Sequence, residues 1–294
     1  MNSSDERTAT SPERIDLEGT CNVRDIGGYR TSDGSNVRRG VFYRADNLGH
    51  LTPRGREQAI ALGLDVIIDL RANDEVARFP NVFADQEDSD SGQRGHGDPA
   101  RGNGGVAGRS PGPRYLRYDL IGEDEPVIAR GDTIELKRVS ERDETGAFRR
   151  PVERLVAGYT AILDDRREMV RGILGTLAEV NGRPMLYHCV AGQDRTGLVT
   201  ALLLSIAGVD EETIAFDYGE TAVFNFDRFR REGYAERWRL PIHSVEDYRR
   251  QLCPPEAMHG TLRHLTERYG GPVSYLRHVG VTDEEIDRLR IALV

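Results

Sequence analysis

Tyr187-His188-Cys189-Val190-Ala191-Gly192-Gln193-Asp194-Arg195-Thr196-Gly197 lies between two apolar segments of different character. Before it, Pro184-Met185-Leu186-Tyr187 is a short apolar run of the kind that forms a buried strand. After it, residues 198 to 207 are apolar almost all round, which predicts a buried helix and not a surface one. A tight loop between strand and helix, with glycine in its middle, turns its backbone N–H groups into one small space. The positive end of the helix dipole backs that space, so the stretch predicts an anion site. A thiol at its mouth, Cys189, is favoured there as thiolate, the nucleophilic form. Arg195 adds a permanent cation whose planar fork grips two oxygens of a phosphate.

His188-Cys189, with Gly192 in register and Arg195-Thr196 closing the loop, resembles the signature of the cysteine-dependent protein tyrosine phosphatases. The fuller pattern His-Cys-x-Ala-Gly-x-Asp-Arg-Thr-Gly is similar to the atypical bacterial branch typified by tyrosine phosphatase B, which has dual-specificity and lipid-phosphatase-like members. Asn22-Val23-Arg24-Asp25-Ile26-Gly27-Gly28-Tyr29-Arg30 resembles that branch's N-terminal signature, and its paired glycines suggest a backbone turning closely against the phosphate loop. The tail is similar too, at Asp217-Tyr218, Pro255 to Met258 and Tyr269-Gly270-Gly271-Pro272-Val273-Ser274-Tyr275-Leu276. The resemblance covers most of residues 16 to 294.

The resemblance implies a division of labour. Cys189 is the nucleophile of a phosphocysteine pathway, while Arg195 and the N–H groups of Val190, Ala191, Gly192, Gln193, Asp194 and Arg195 hold the phosphate. Asp194 is the general acid; Asp119 and Asp124, after the preceding strand, occupy the place where ordinary tyrosine phosphatases keep theirs. Thr196 donates to the Cys189 sulfur, and His188 orients the loop. Arg24, Asp25, Asp69 and Arg71 are supporting residues, with a local ion pair as the alternative reading of Asp69 and Arg71. The branch usually has Lys where Gln193 stands. Glutamine keeps a donor at the pocket and loses a charge suited to highly anionic phosphoinositides. No cofactor is expected, and no metal, because the histidines are scattered without zinc-like spacing.

The predicted architecture is α/β, a central, largely parallel sheet flanked by helices, tyrosine-phosphatase-like, with helical lid insertions. Residues 41–45, 64–71 and 114–120 read as strands, the second rich in β-branched residues as parallel strands are. Thr52-Pro53 starts a helix and Ser32-Asp33-Gly34-Ser35 a hairpin turn. Residues 127–146 are mixed and charged and read as a surface helix or lid piece. One phosphatase domain is expected over residues 16–294, after a loose N-terminus at 1–15. Residues 85–113, where hydrophobics almost vanish, read as a disordered insertion or a lid that orders only on binding, and 219–253, aromatic and Arg-rich, as a variable helical lid or cap.

A chain of 294 residues buries a sizeable core. A formal net charge of −9 speaks against a nucleic-acid surface or a polybasic membrane patch. No apolar run reaches the ~20 residues a spanning helix needs, and the N-terminus lacks a signal-peptide core. Three cysteines make no disulfide framework, so a reducing cytoplasmic setting is expected. The substrate is a phosphorylated protein or a small phosphate ester, such as a nucleotide or sugar phosphate. A non-catalytic phosphate-binding module is the other class, against which Cys189, Asp194 and Arg195 argue. Oligomeric state is not encoded in these motifs.

Overall fold

The computed structural model describes residues 12–84, 112–122, 127–130, 133–136, 141–146, 148–179 and 184–294. The strands in chain order are β1 (Arg24–Asp25), β2 (Phe42–Ala45), β3 (Val66–Asp69), β4 (Arg114–Arg117), β5 (Val127–Arg130), β6 (Thr133–Leu136), β7 (Glu141–Arg142), β8 (Phe148–Arg149) and β9 (Met185–His188). The main sheet has the order β1-β2-β9-β3-β4. Strands β2, β9, β3 and β4 run parallel and β1 is antiparallel at the edge. The register aligns Ala45, His188 and Asp69 across three neighbouring strands, so their carboxyl ends open at one level. In such sheets, sites form at that edge.

Eleven α-helices are described: α1 (Pro53–Ala61), α2 (Asn73–Arg78), α3 (Val152–Asp165), α4 (Arg167–Glu179), α5 (Asp194–Ile206), α6 (Glu211–Arg231), α7 (Tyr234–Trp238), α8 (Val245–Leu252), α9 (Pro255–Tyr269), α10 (Pro272–His278) and α11 (Asp283–Leu293). The expected caps are present: the Thr52 hydroxyl accepts from Gly55 N ahead of Pro53, and Thr282 and Glu285 form a reciprocal capping box. Side chains alternate across the sheet. Phe42, Val66, Ile68, Met185 and Tyr187 join the larger core under α3 to α6 and α9 to α11. Tyr43, Ala45, Ile67 and Leu186 face a smaller core with Leu17, Leu51 and Ala59. Burial on both faces is why these strands carry continuous apolar runs. Helix α5 is buried from Arg195 through Leu204, as its sequence requires.

Residues 127–146 depart from expectation. They hold the β5–β6 hairpin and, with 148–149, the β7–β8 hairpin instead of a surface helix. The charges there hid a strand–turn–strand signal, Thr-Ile and Val-Ile pairs on either side of Gly131-Asp132. Strands β3 and β4 are shorter than read. The proposed insertion lies, except for residues 112 and 113, outside the described residues, as do Asp124 and residues 1–11. Residues 219–253 are helical, carried by α6, α7 and α8. Among the described residues no helix is long and apolar enough to cross a membrane.

Candidate active site

The loop from Cys189 to Gln193 leaves β9 at the centre of the sheet and enters α5. Gly192 takes φ +62°, and a Cβ there would come within 2.7 Å of the Ala45 carbonyl oxygen, so only glycine fits. Gln193, at the N-cap, makes no capping bond with its side chain. Among the described residues, no amide from Val190 to Arg195 donates to a backbone carbonyl. Among the described residues these six N–H groups at a helix start make a candidate anion cradle. Cys189 is 2% exposed at its edge. The Thr196 hydroxyl donates to its sulfur at 3.1 Å.

Burial pushes the Cys253 thiol up to about 12. The Cys21 thiol is also pushed up, by burial first and by the Asp46 carboxylate next. Both stay protonated at neutral pH; Cys189 is the candidate nucleophile by its place at the start of the loop, with the Thr196 hydroxyl on its sulfur.

The loop's carbonyls are tied down on its other side. Asn22 donates to the Ala191 and Gly192 oxygens at 2.8 and 3.1 Å, Asn225 to Ala191 O at 3.1 Å, and Arg44 to Gly192 O at 2.8 Å. Asn47 N donates to Val190 O at 2.9 Å. Each peptide held by its oxygen turns its N–H the other way, into the cradle. Behind this lies a buried network in which Asp217 accepts from Arg24, Arg44 and Tyr29. Both arginines are fully buried, and two guanidiniums on one carboxylate leave positive charge behind the anion site.

Arg195 is oriented by Glu75, which accepts from both terminal guanidinium nitrogens, one of them at 2.8 Å, and also from Ala72 N at 2.8 Å. The Arg195 Nε is buried and has no partner among the described residues. The His188 ring is held at both nitrogens. Its Nδ1 lies 3.0 Å from Cys189 O and must donate, because a carbonyl only accepts. Its Nε2 then accepts from the Asn81 amide at 2.9 Å, and burial lowers the imidazole pKa, so the ring is neutral. Asp69 and Arg71 form a buried ion pair at 2.6 Å. Arg71 also donates to Asn47 Oδ1 at 2.8 Å, and so connects that pair to the loop.

The buried charges predict how stability varies with pH. Burial opposes ionisation of Asp217, but Arg24, Arg44 and Tyr29 outweigh it and hold its pKa below the ordinary value. Such a carboxylate stabilises the fold above its unfolded pKa of about 4 and loses that contribution as pH falls through the folded value. His188, lowered as well, has the same sign over the range beginning near pH 6.5, about its unfolded value. Urea unfolding is therefore expected to show the His188 contribution lost from about pH 6.5 downward and that of Asp217 below about pH 4, opposed by Asp25 and Glu220, whose pKa values burial raises. Asp217→Asn, which leaves two buried guanidiniums without a counter-ion, is expected to cost about 3–5 kcal/mol at neutral pH. A variant as stable as the parent would overturn this account.

The carboxyls proposed from sequence divide clearly. Oδ1 of Asp194 accepts from Arg150 and Tyr159 and, at 3.4 Å, from Gln193 Nε2, while Oδ2 has no partner among the described residues. The Tyr159 hydroxyl stays protonated, its pKa raised by burial and by the adjacent Asp194. Asp119 instead accepts from Ile121 N and Gly122 N at 2.9 and 2.8 Å and closes the turn after β4. Asp25 serves the Gly27-Gly28 turn, accepting from Gly27 N and Gly40 N at 2.7 and 2.6 Å. That glycine pair packs on residues 38 and 39, not on the phosphate loop; Asn22 and Arg24 are the parts of the motif that reach inward.

Gln193 also departs from the reading. Its side chain is buried, donates to Leu252 O at 2.7 Å and reaches Asp194 Oδ1 at 3.4 Å. Tyr248 donates to its Oε1 at 3.3 Å. Together with Asn225 on α6, these bonds place the predicted lid region in contact with the loop.

Sequence reasoning missed Glu75, Arg44, Asn47, Arg150, Tyr159 and Asn225. Glu75 at the third position of a short helix carried a visible signal, but it reads as a capping residue. A thiol, a run of amides without backbone partners and a buried guanidinium, all within residues 189–195 at the start of one helix, have the make-up of a phosphate-ester hydrolase centred on a cysteine. The chain belongs to the tyrosine phosphatase family, whose sequence profile matches residues 15–294. It is 27% identical over 263 residues to a tyrosine-protein phosphatase of Nostoc commune, covering 86% of this chain and 74% of that one. It is 26% identical over 312 residues to the triple specificity protein phosphatase PtpB of Mycobacterium tuberculosis, covering 95% and 98%.

Proposed function

We propose that the chain hydrolyses phosphate monoesters through a phosphocysteine intermediate, acting as one domain over residues 16–294. The observation that carries this reading is that one loop and helix start, residues 189–195, hold the Cys189 sulfur, amides without a backbone partner among the described residues and the unpartnered Arg195 Nε. In the first step the Cys189 thiolate attacks phosphorus and the ester P–O bond breaks. Asp194 gives its proton to the departing oxygen from Oδ2, the oxygen that Arg150 and Tyr159 leave free. In the second step water attacks phosphorus, Asp194 takes a proton back, and the P–S bond breaks to release inorganic phosphate and the thiolate. Thr196 stabilises that thiolate at both ends of the cycle. Arg195 and the amides hold the equatorial oxygens as charge moves, which is where most of the stabilisation arises.

For substrate we infer phosphotyrosine in proteins, with tolerance for other phosphorylated side chains, as the relatives' names suggest. Phosphoinositides are disfavoured: Gln193 brings no charge, and its amide is engaged by Leu252. Phosphotyrosine peptides are expected to turn over faster than phosphoserine peptides, sugar phosphates or phosphoinositides, with no loss in a chelator and full block by vanadate. Chelator-sensitive turnover would refute the cysteine pathway. A clear preference for sugar or nucleotide phosphates would move the substrate to small metabolites.

A further inference from the structure

A second cluster of cations lies far from Cys189. Arg167, Arg268, Tyr269, Ser274, Arg277 and His278 line a pocket of about 660 Å³. Helix α3 sets the separation. It follows Arg150, which holds Asp194, and ends beside Asp164, which pairs with Arg268 at 2.9 Å. Fourteen helical residues at 1.5 Å each put the two places about 20 Å apart.

The charges here are incompletely matched. Arg268 pairs with Asp164, and Arg277 with Asp283 at 2.7 Å. Among the described residues no carboxylate pairs with Arg167. Its terminal nitrogens make only long contacts, 3.3 Å to His278 Nε2 and 3.4 Å to the Tyr269 hydroxyl. Its Nε is buried without a partner. Three guanidiniums against two carboxylates are thus gathered in one pocket of a chain whose formal net charge is −9. Like charges gather at a cost unless an anion joins them.

The backbone assembles this pocket through the Tyr-Gly-Gly-Pro motif of the tail. Gly270 and Gly271 adopt φ +80° and +117° in succession. Nothing lies within 4 Å of a Cβ on Gly271, so the requirement there is conformational and not one of space. The reversal folds α10 back on α9, and the Tyr269 and His278 rings meet at 4.9 Å between centroids.

We propose that this pocket is a second oxyanion site, for inorganic phosphate or the phosphate of a small monoester. A guanidinium fork with a spare donor matches two phosphate oxygens, and Ser274 and His278 supply shorter polar reach around it. The volume falls within the ~300–1,000 Å³ of small-molecule sites, large enough for an ester and its organic part. The catalytic loop reads phosphate through backbone amides; this pocket reads it through side chains, and so is separable by substitution.

The test is local. The His278 ring resonances are followed by NMR as inorganic phosphate is added to the full chain, and as phenyl phosphate is added to the Cys189→Ser chain, which does not consume it. Saturable shifts with a Kd on the order of 1 mM are expected. Arg167→Gln should weaken both by about tenfold or more, equal to the loss of one charge-assisted contact, while aryl phosphate turnover stays unchanged. Arg277→Gln, at an exposed position, should weaken them too and guards against misfolding of the first variant. Tighter binding of phenyl phosphate would assign the site to an ester; equal or tighter binding of inorganic phosphate would assign it to the free ion. No saturable shift with either probe, or shifts untouched by both substitutions, would overturn the proposal.

Discussion

Cys189→Ser is expected to reduce turnover of an aryl phosphate by about 10⁴-fold or more, while the protein folds and binds tungstate nearly as before. The loss follows from the nucleophile alone. A serine hydroxyl is not ionised at neutral pH, and the described site places no neutral imidazole to take its proton: His188 has both nitrogens engaged, by Cys189 O and Asn81. Oxygen is also the poorer leaving group in the second step. Binding should survive, because the residues that shape the cradle do not depend on sulfur. Gly192 keeps its positive φ, Asn22 and Arg44 keep the loop carbonyls turned away, and Arg195 stays on Glu75. Thr196 can bond to a hydroxyl as it does to the thiol. Tungstate suits the control better than vanadate, whose bond to the sulfur would itself be lost. Turnover within tenfold of the parent would eliminate Cys189 as nucleophile. Loss of both turnover and tungstate binding would make it a structural residue of the loop.

What could be read from sequence was local. The catalytic stretch announced itself because strand, loop and helix are consecutive and each has its own pattern: an apolar run, a glycine between polar residues, then ten residues apolar on every side. The caps at Thr52 and Thr282 were legible for the same reason, since a cap and its helix are neighbours in the chain. The supporting shell was not. Asp217 meets Arg24 and Arg44 across more than 170 residues, and no spacing rule connects them. Glu75 lies 120 residues before the Arg195 it orients. The Gln193 side chain could be placed at the pocket by analogy with a lysine, but its direction is set by Leu252 O and Tyr248, contributed by a helix that the sequence left variable. Long-range polar contacts depend on tertiary placement, and a buried arginine reads in sequence like any exposed one.

Asp194→Asn is expected to slow alkyl phosphate turnover by about 10²–10⁴-fold and to leave an activated aryl phosphate within roughly tenfold of the parent. The difference reports the acid: an alkoxide cannot depart without a proton, whereas an activated phenolate nearly can. Asparagine is the right substitute here. Its carbonyl oxygen can still accept from Arg150 and Tyr159 in the place of Oδ1, so the start of α5 keeps its anchor. What is lost is the proton on the other oxygen, the one with no partner among the described residues. The alkaline limb of the kcat/KM profile should flatten, because the general acid is gone. Tungstate affinity serves as the control for loop damage and should change by no more than a few-fold. Asp119→Asn should show neither the leaving-group dependence nor the flattened limb. Its Oδ1 accepts from two turn amides, and asparagine retains that acceptor. Asp124 lies outside the described residues, so Asp124→Asn is run beside it. If either of these two variants shows the leaving-group dependence and Asp194→Asn does not, the acid belongs to the segment after β4. Asp194 would then be an anchor that ties the first turn of α5 to Arg150.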